Sequence, residues 1–163
     1  MKIRTDYVTN SSSSSFLLAF KDRQDGIEQI EKAAHDMSPA AALTLLEDFA
    51  NQKPKTKDVA MMWAQSDLED EAYFSVFYEA QEQMEQWIKA HPDRNPAEYY
   101  DSAEYCDLIN EEVCVMEKEL AKAMEGKDYF VFLEYGDHTE TGSELEHQIL
   151  PNLPFTIRTF SHH

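Results

Sequence analysis

Apolar and polar positions fall in blocks along the chain, and the period changes from block to block. Residues 2–8 and 15–20 have the β-branched and aromatic content of strands. The turn residues Thr9-Asn10-Ser11 and a run of serines separate them, so a first hairpin is expected. Asp25 is placed to cap a short helix with Ile27, Ile30 and Ala34 inward. Ser38-Pro39, a cap followed by proline at the first helical position, opens a second helix with Leu43, Leu46 and Phe49 inward. The segment Lys53-Pro54-Lys55 breaks that helix, and residues 59–64, too short a run to show a period, are read as entry into another.

From Ser66 onward the period is helical. Ser66 with Glu69 forms a capping-box pattern, followed by Tyr73, Val76, Phe77, Ala80, Met84, Trp87 and Ile88 on one side and acids on the other. Asn95-Pro96-Ala97-Glu98 is a second helix start. After it Tyr99, Ala103, Cys106, Ile109, Val113, Met116, Leu120 and Met124 form a stripe that Gly126 stops. The short link at residues 91–94 makes the two long helices antiparallel. Residues 129–135 and 155–160 then read as buried strands joined by a polar connection containing Gly and Pro. The expected fold is α+β in a single domain. Strand pairs from the two ends form a mainly antiparallel sheet, covered by a helical middle with a long antiparallel helix pair.

Composition adds a field to this outline. The chain has 163 residues, 42% of them apolar and 12% aromatic, enough to bury a core. Its net charge of -18 argues against direct binding to nucleic acid, whose affinity comes from cation contacts to phosphate. The charge is uneven: residues 64–125 hold seventeen acids against Lys89, Arg94, Lys118 and Lys122, a net charge of -13. Two helices of about 30 residues would carry one net charge per ~3.4 Å, close to the spacing along one DNA strand. Mimicry of nucleic acid toward a basic protein is therefore physically open. Glu69, Asp70, Glu79, Glu82, Glu85, Glu104, Glu111 and Glu112 are the candidate docking residues for a basic protein partner.

Near the start the only continuous apolar stretch is residues 16–20, short of the ~7 to 15 residues of a signal core and the ~20 of a membrane span. Neither export nor a membrane is expected. Cys106 and Cys114 lie about 12 Å apart along one helix, too far for a disulfide, and are read as reduced thiols of the core in a cytoplasmic protein.

Candidate chemistry gathers near the end, where Asp137, His138, Glu140, Glu144, Glu146, His147, His162 and His163 lie. Imidazole with carboxylate suits zinc or another divalent metal, and His138, His147, His162 and His163 are the candidate ligands of a metal-dependent hydrolase. Direct antiparallel pairing of the last two strands would hold His138 and His162 about 23 Å apart, whereas a parallel relation brings them to one edge. Neither a phosphate-binding glycine loop nor a dinucleotide fingerprint is present, so no nucleotide cofactor is expected. Gly142-Ser143-Glu144 lacks the glycine-flanked serine of a nucleophile elbow.

Two resemblances follow from particular residues. The opening Lys2-Ile3-Arg4-Thr5-Asp6-Tyr7-Val8 with Thr9-Asn10-Ser11-Ser12-Ser13-Ser14-Ser15-Phe16 resembles that of many small uncharacterised bacterial proteins, mainly Gram-positive. So does the tail from Leu145-Glu146-His147 through Leu150-Pro151-Asn152-Leu153 to Phe160-Ser161-His162-His163. That resemblance implies a bacterial cytosolic origin and a native final His pair, the other reading of which is a tag remnant; it implies no activity. The loop His91-Pro92-Asp93-Arg94-Asn95-Pro96 is similar to that of J-domain co-chaperones, which implies stimulation of a chaperone's ATP hydrolysis through His91, Pro92 and Asp93. Glu79, Glu82 and Glu85 stand where that family has cations, and Glu111-Glu112 where it has Ala-Tyr. The expected function is a non-enzymatic interaction or regulatory module that docks a basic partner through an acidic helical face. The hydrolase and the co-chaperone are the alternatives.

Overall fold

The computed structural model describes residues 13–162, His162 by its backbone alone. They gather in two compact units: a sheet unit, formed by the chain up to Thr56 and again from Gly126, and a helical unit, Lys57–Glu125. The fold is α+β, with one three-stranded antiparallel sheet and helices between its N- and C-terminal strands. The strand expected at residues 2–8, and with it the first hairpin, lies outside the described residues.

In the sheet unit β1 (Ser13–Phe20) is the central strand, flanked by β2 (Tyr129–Gly136) and β3 (Thr156–His162) in the order β2-β1-β3. Both neighbours run antiparallel to β1, so the two late strands are parallel to each other without touching. Phe16 faces Leu133 and Leu18 faces Val131, while β3 skips Ile157 in a bulge beside Leu17 and Leu18. The 2-residue period puts Phe16, Leu18 and Phe20 on one face with Val131, Leu133 and Tyr135. Helices α1 (Arg23–Ala34) and α2 (Pro39–Asn51) bring Ile30, Ala41, Leu45 and Phe49 to that face, and the β2–β3 connection brings Leu145, Leu150 and Phe155.

Local chemistry sets the helix ends. Asp22, not Asp25, caps α1, its carboxylate accepting from the Asp25 amide. Ser38 caps α2 with Pro39 at the first position, as the dipeptide predicts, and Phe49 is inward as expected, but Leu43 points outward, and Ala41 and Leu45 are the other buried residues. The β2–β3 connection is a chain of short turns: α6 (Glu140–Glu144), a π-helical turn Leu145–Ile149 and a 3₁₀ turn Leu150–Asn152. Gly142 is needed in it, because a Cβ there would stand 2.3 Å from the Gly136 carbonyl oxygen.

The helical unit departs more from its pattern. Helix α3 (Lys57–Glu79) starts nine residues before Ser66, which is internal, so residues 59–64 are helical as read. It stops at Ala80 and α4 (Gln81–Ala90) continues after the break. Asn95 and Glu98 do form a reciprocal capping box, but over a 3₁₀ turn, Pro96–Asp101. Ser102 then recaps the chain to start α5 (Ala103–Ala123). Along α5 Val113, Leu120 and Met124 of the expected stripe are buried, but near the second cap Tyr105 is the buried residue in place of Ala103 and Cys106, and Cys106 and Cys114 are exposed thiols rather than core. On α3 the buried positions are Ala60, Ala64, Leu68, Ala72 and Val76, every fourth residue, while Tyr73 and Phe77 of the expected inward stripe are exposed. Gly126, with φ of 70°, adopts the left-handed backbone that ends this unit's last turn.

Candidate functional site

The helical unit concentrates both charge and exposed aromatic surface. Lys57–Glu125 holds eighteen acids against five bases, a net charge of -13. Among the candidate docking residues, Glu69, Asp70, Glu79, Glu82, Glu85, Glu104 and Glu111 are exposed and Glu112 is half-buried. They do not share one face: at 100° per residue Asp70 and Glu79 fall on opposite sides of α3. What does share a face is aromatic. Asp70, Phe74, Phe77 and Tyr78 fall within about 100° around the helix, with Phe74 64% and Tyr78 74% exposed. The helical pattern sets Phe77 inward with Tyr73 and gives Phe74 and Tyr78 no role, so it does not disclose this strip. The signal that finds it is the run of alanines at fourfold spacing, a buried face that leaves no room for those rings.

The strip continues inward as a ladder of rings within the same unit. Phe77 stacks on Tyr100 with centroids 5.4 Å apart, and Tyr100 meets Tyr105 edge-on at 5.2 Å. Tyr105 meets Tyr99 at 5.3 Å, Tyr99 meets Trp87 at 5.9 Å, and Trp87 stacks on His91 at 4.5 Å. The His91 ring is further held by its Nδ1, 2.9 Å from the Trp87 carbonyl oxygen. A carbonyl only accepts, so Nδ1 donates, and in the neutral ring Nε2 is the acceptor. Beyond these rings lies a cleft of about 500 Å³ lined by Gln83, Gln86, Trp87, Ala90, His91, Tyr99, Glu104 and Leu108. It joins the loop candidate His91 to the docking candidate Glu104. Pro92 and Asp93 are exposed outside it. The Tyr99 hydroxyl is buried without a hydrogen-bond partner, and burial, then the charge of Glu104, pushes its pKa above the ordinary phenol value.

The metal candidates sit in the sheet unit. Gly136 and His162 both lie opposite Ser13, so the ends of β2 and β3 share one sheet edge but are separated by β1, about 10 Å across two strand spacings. His138, exposed just past β2, lines a polar cleft of about 420 Å³ with Asp48, Glu134, Tyr135 and Thr139. His147 is on the π-helical turn, its Nε2 3.5 Å from Glu146 Oε2. The His162 side chain and His163 lie outside the described residues. Among the described residues no three His, Cys, Asp or Glu side chains come together as metal ligands.

In that polar cleft Tyr135 donates to Asp48 Oδ2 at 2.8 Å. Burial above all, then this hydrogen bond and the Asp48 charge, raises its pKa well above the phenol range. A raised folded value means this stabilisation is complete below about pH 10, the unfolded value, and is lost as pH climbs toward the folded one. The urea midpoint is expected to fall above about pH 10, and Tyr135→Phe to make that fall shallower. Denaturation series at successive pH values check this, and an unchanged slope in Tyr135→Phe would remove the assignment.

Among the described residues no helix is long and apolar enough to cross a membrane. Compared with known proteins, the chain matches no family model, no curated protein and no solved structure.

Proposed function

We propose that this chain is a non-enzymatic bacterial cytosolic interaction module whose helical unit docks a basic protein partner. The observation that carries the reading is the exposed strip Phe74, Phe77 and Tyr78 on a unit of net charge -13. Exposed aromatic rings supply the desolvated anchors that dominate interface energy, and surrounding carboxylates steer a cationic partner and reject an anionic one. Charge alone would serve solubility; charge around exposed rings serves recognition.

The test is capture of partners on the immobilised full chain from a lysate of the source organism, at low and high salt. A stoichiometric basic protein is expected, released as ionic strength rises. Phe74→Ala with Tyr78→Ala is expected to weaken its retention by about thirtyfold, the scale of a truncated hot spot. Replacing Glu69, Asp70, Glu79 and Glu82 by their amides is expected to slow association and flatten the salt dependence. Retention indifferent to salt and to both sets of substitutions would sink the reading.

A further inference from the structure

We propose that the segment docked on α3 is an amphipathic helix of the basic partner, whose seam sets cations between two apolar anchors. This rests on the docking reading and adds to it the conformation and residue order of what is bound.

The order is written on α3 itself. At 100° per residue Trp63 and Asp67 fall within the same sector as Asp70, Phe74, Phe77 and Tyr78. Along that sector a ring comes first, two carboxylates follow and three rings close it, over about 22 Å at ~1.5 Å per residue. Trp63 is 52%, Phe74 64%, Phe77 36% and Tyr78 74% exposed, so both apolar ends present open ring surface. Between them Asp70 is exposed and Asp67 half-buried. Trp63, Asp70, Phe74 and Phe77 follow at steps of seven, four and three residues, the heptad rhythm against which a second helix packs. Lys57, at its first position, is the one base of α3.

A face built this way selects its occupant. An extended segment laid on side chains buries backbone N–H and C=O groups with no sheet edge to pair them, whereas a helix satisfies its own. A wholly apolar helix would press hydrocarbon onto the Asp67 and Asp70 carboxylates, and a uniformly charged one would leave the rings unused as anchors. A second copy of this chain is refused by sign. Paired antiparallel in full overlap, α3 sets Asp70 on Asp70 and Asp67 beside Phe74; paired parallel, it sets each acid on its own counterpart. What fits is a helix of about four turns, apolar at both ends of its seam and carrying Lys or Arg in the middle.

The test titrates the full chain by calorimetry at low salt with capped peptides of about eighteen residues, long enough for four to five turns. The first carries leucines at both ends of a helical seam, two lysines at its middle, and alanine and glutamine elsewhere. The second has the same composition in an order without helical period, and the third has glutamates in place of the seam lysines. The first is expected to bind about tenfold more tightly than either of the others, with a gain of helix in difference circular dichroism. Phe74→Ala with Tyr78→Ala, at exposed positions the fold does not depend on, is expected to weaken it about thirtyfold. Asp70→Asn is expected to narrow the preference for the lysine seam over the glutamate seam at least threefold. Equal binding of the first two peptides would overturn the helix and leave the docking reading intact. Binding that the ring substitutions leave unchanged would place the site off α3 and overturn it too. Binding of no peptide would also overturn it, and the docking reading would then be decided by the capture experiment alone. A dimer of the free chain in sedimentation, dispersed by the same ring substitutions, would make a second copy the occupant and overturn both readings.

Discussion

Phe20→Ala is expected to destabilise the sheet unit by about 3 to 5 kcal/mol, the range for truncating a fully buried aromatic residue. Phe20 is fully buried at the end of β1. Its ring lies 5.1 Å from Phe155, 5.5 Å from Phe49 and 6.5 Å from Tyr129, so it ties together β1, α2 and the starts of both outer strands. The packing leaves no slack to refill the hole. A Cβ placed on Gly26 would already stand 2.8 Å from the Phe49 ring and 3.3 Å from Phe20, so α1 lies as close to these rings as a glycine allows. Urea unfolding followed by far-ultraviolet circular dichroism measures the loss. A change below about 1 kcal/mol would mean that the cluster is not the centre of the core.

Ser14→Ala carries the second large effect, about 1 to 3 kcal/mol and toward the upper end because its partner is a carboxylate. Ser14 is buried on the core-facing side of β1, and its hydroxyl donates to Glu146 Oε1 at 2.8 Å. Glu146 is only 3% exposed, and its other oxygen, Oε2, has no hydrogen bond. Removing the hydroxyl leaves a buried carboxylate without a hydrogen bond and with only the longer 3.5 Å contact to His147 Nε2, which costs more than the hydrogen bond itself. A double-mutant cycle separates the two: Ser14→Ala is expected to cost far less in a Glu146→Leu background, where no carboxylate is left to strand. Additive losses would remove the pair from the account of the fold.

This pair marks the limit of what the sequence discloses. The serine run reads as a loop or the entry to an edge strand, and Ser13 and Ser14 instead belong to the central strand, Ser14 buried against a carboxylate 132 positions away. No local pattern carries a partner at that distance. The three strands, the Ser38-Pro39 start and the Asn95–Glu98 box were legible because each rests on residues a few positions apart. The central place of β1 was not, since strand order depends on which late segments return to it. Within the helical unit the period was right and Val76, Ala80, Trp87, Val113, Leu120 and Met124 lie inward as expected, whereas Tyr73, Phe77 and Cys106 do not. On α3 bulky rings outweighed alanines in the choice of the inward side, and the interruptions at Ala80 and Ser102 were not visible as breaks in the pattern. For the candidate site, Glu104 and His91 were visible as separate signals of charge and loop motif, but the cleft that joins them needed the ring ladder of residues 73–105.

The order of the strands also bears on how the chain is made. The centre of the sheet leaves the ribosome more than 100 residues ahead of either neighbour, with Ser13 paired to Gly136 and to His162. At roughly 5 to 20 residues per second, β1 waits several seconds or more before either edge can be covered. Its apolar run Phe16–Phe20 is thus a nascent segment with two open hydrogen-bonding edges, a state prone to pairing with other chains. Folding of this unit waits on the synthesis of β3, and truncations before Phe155 are expected to accumulate as chaperone-bound or insoluble product.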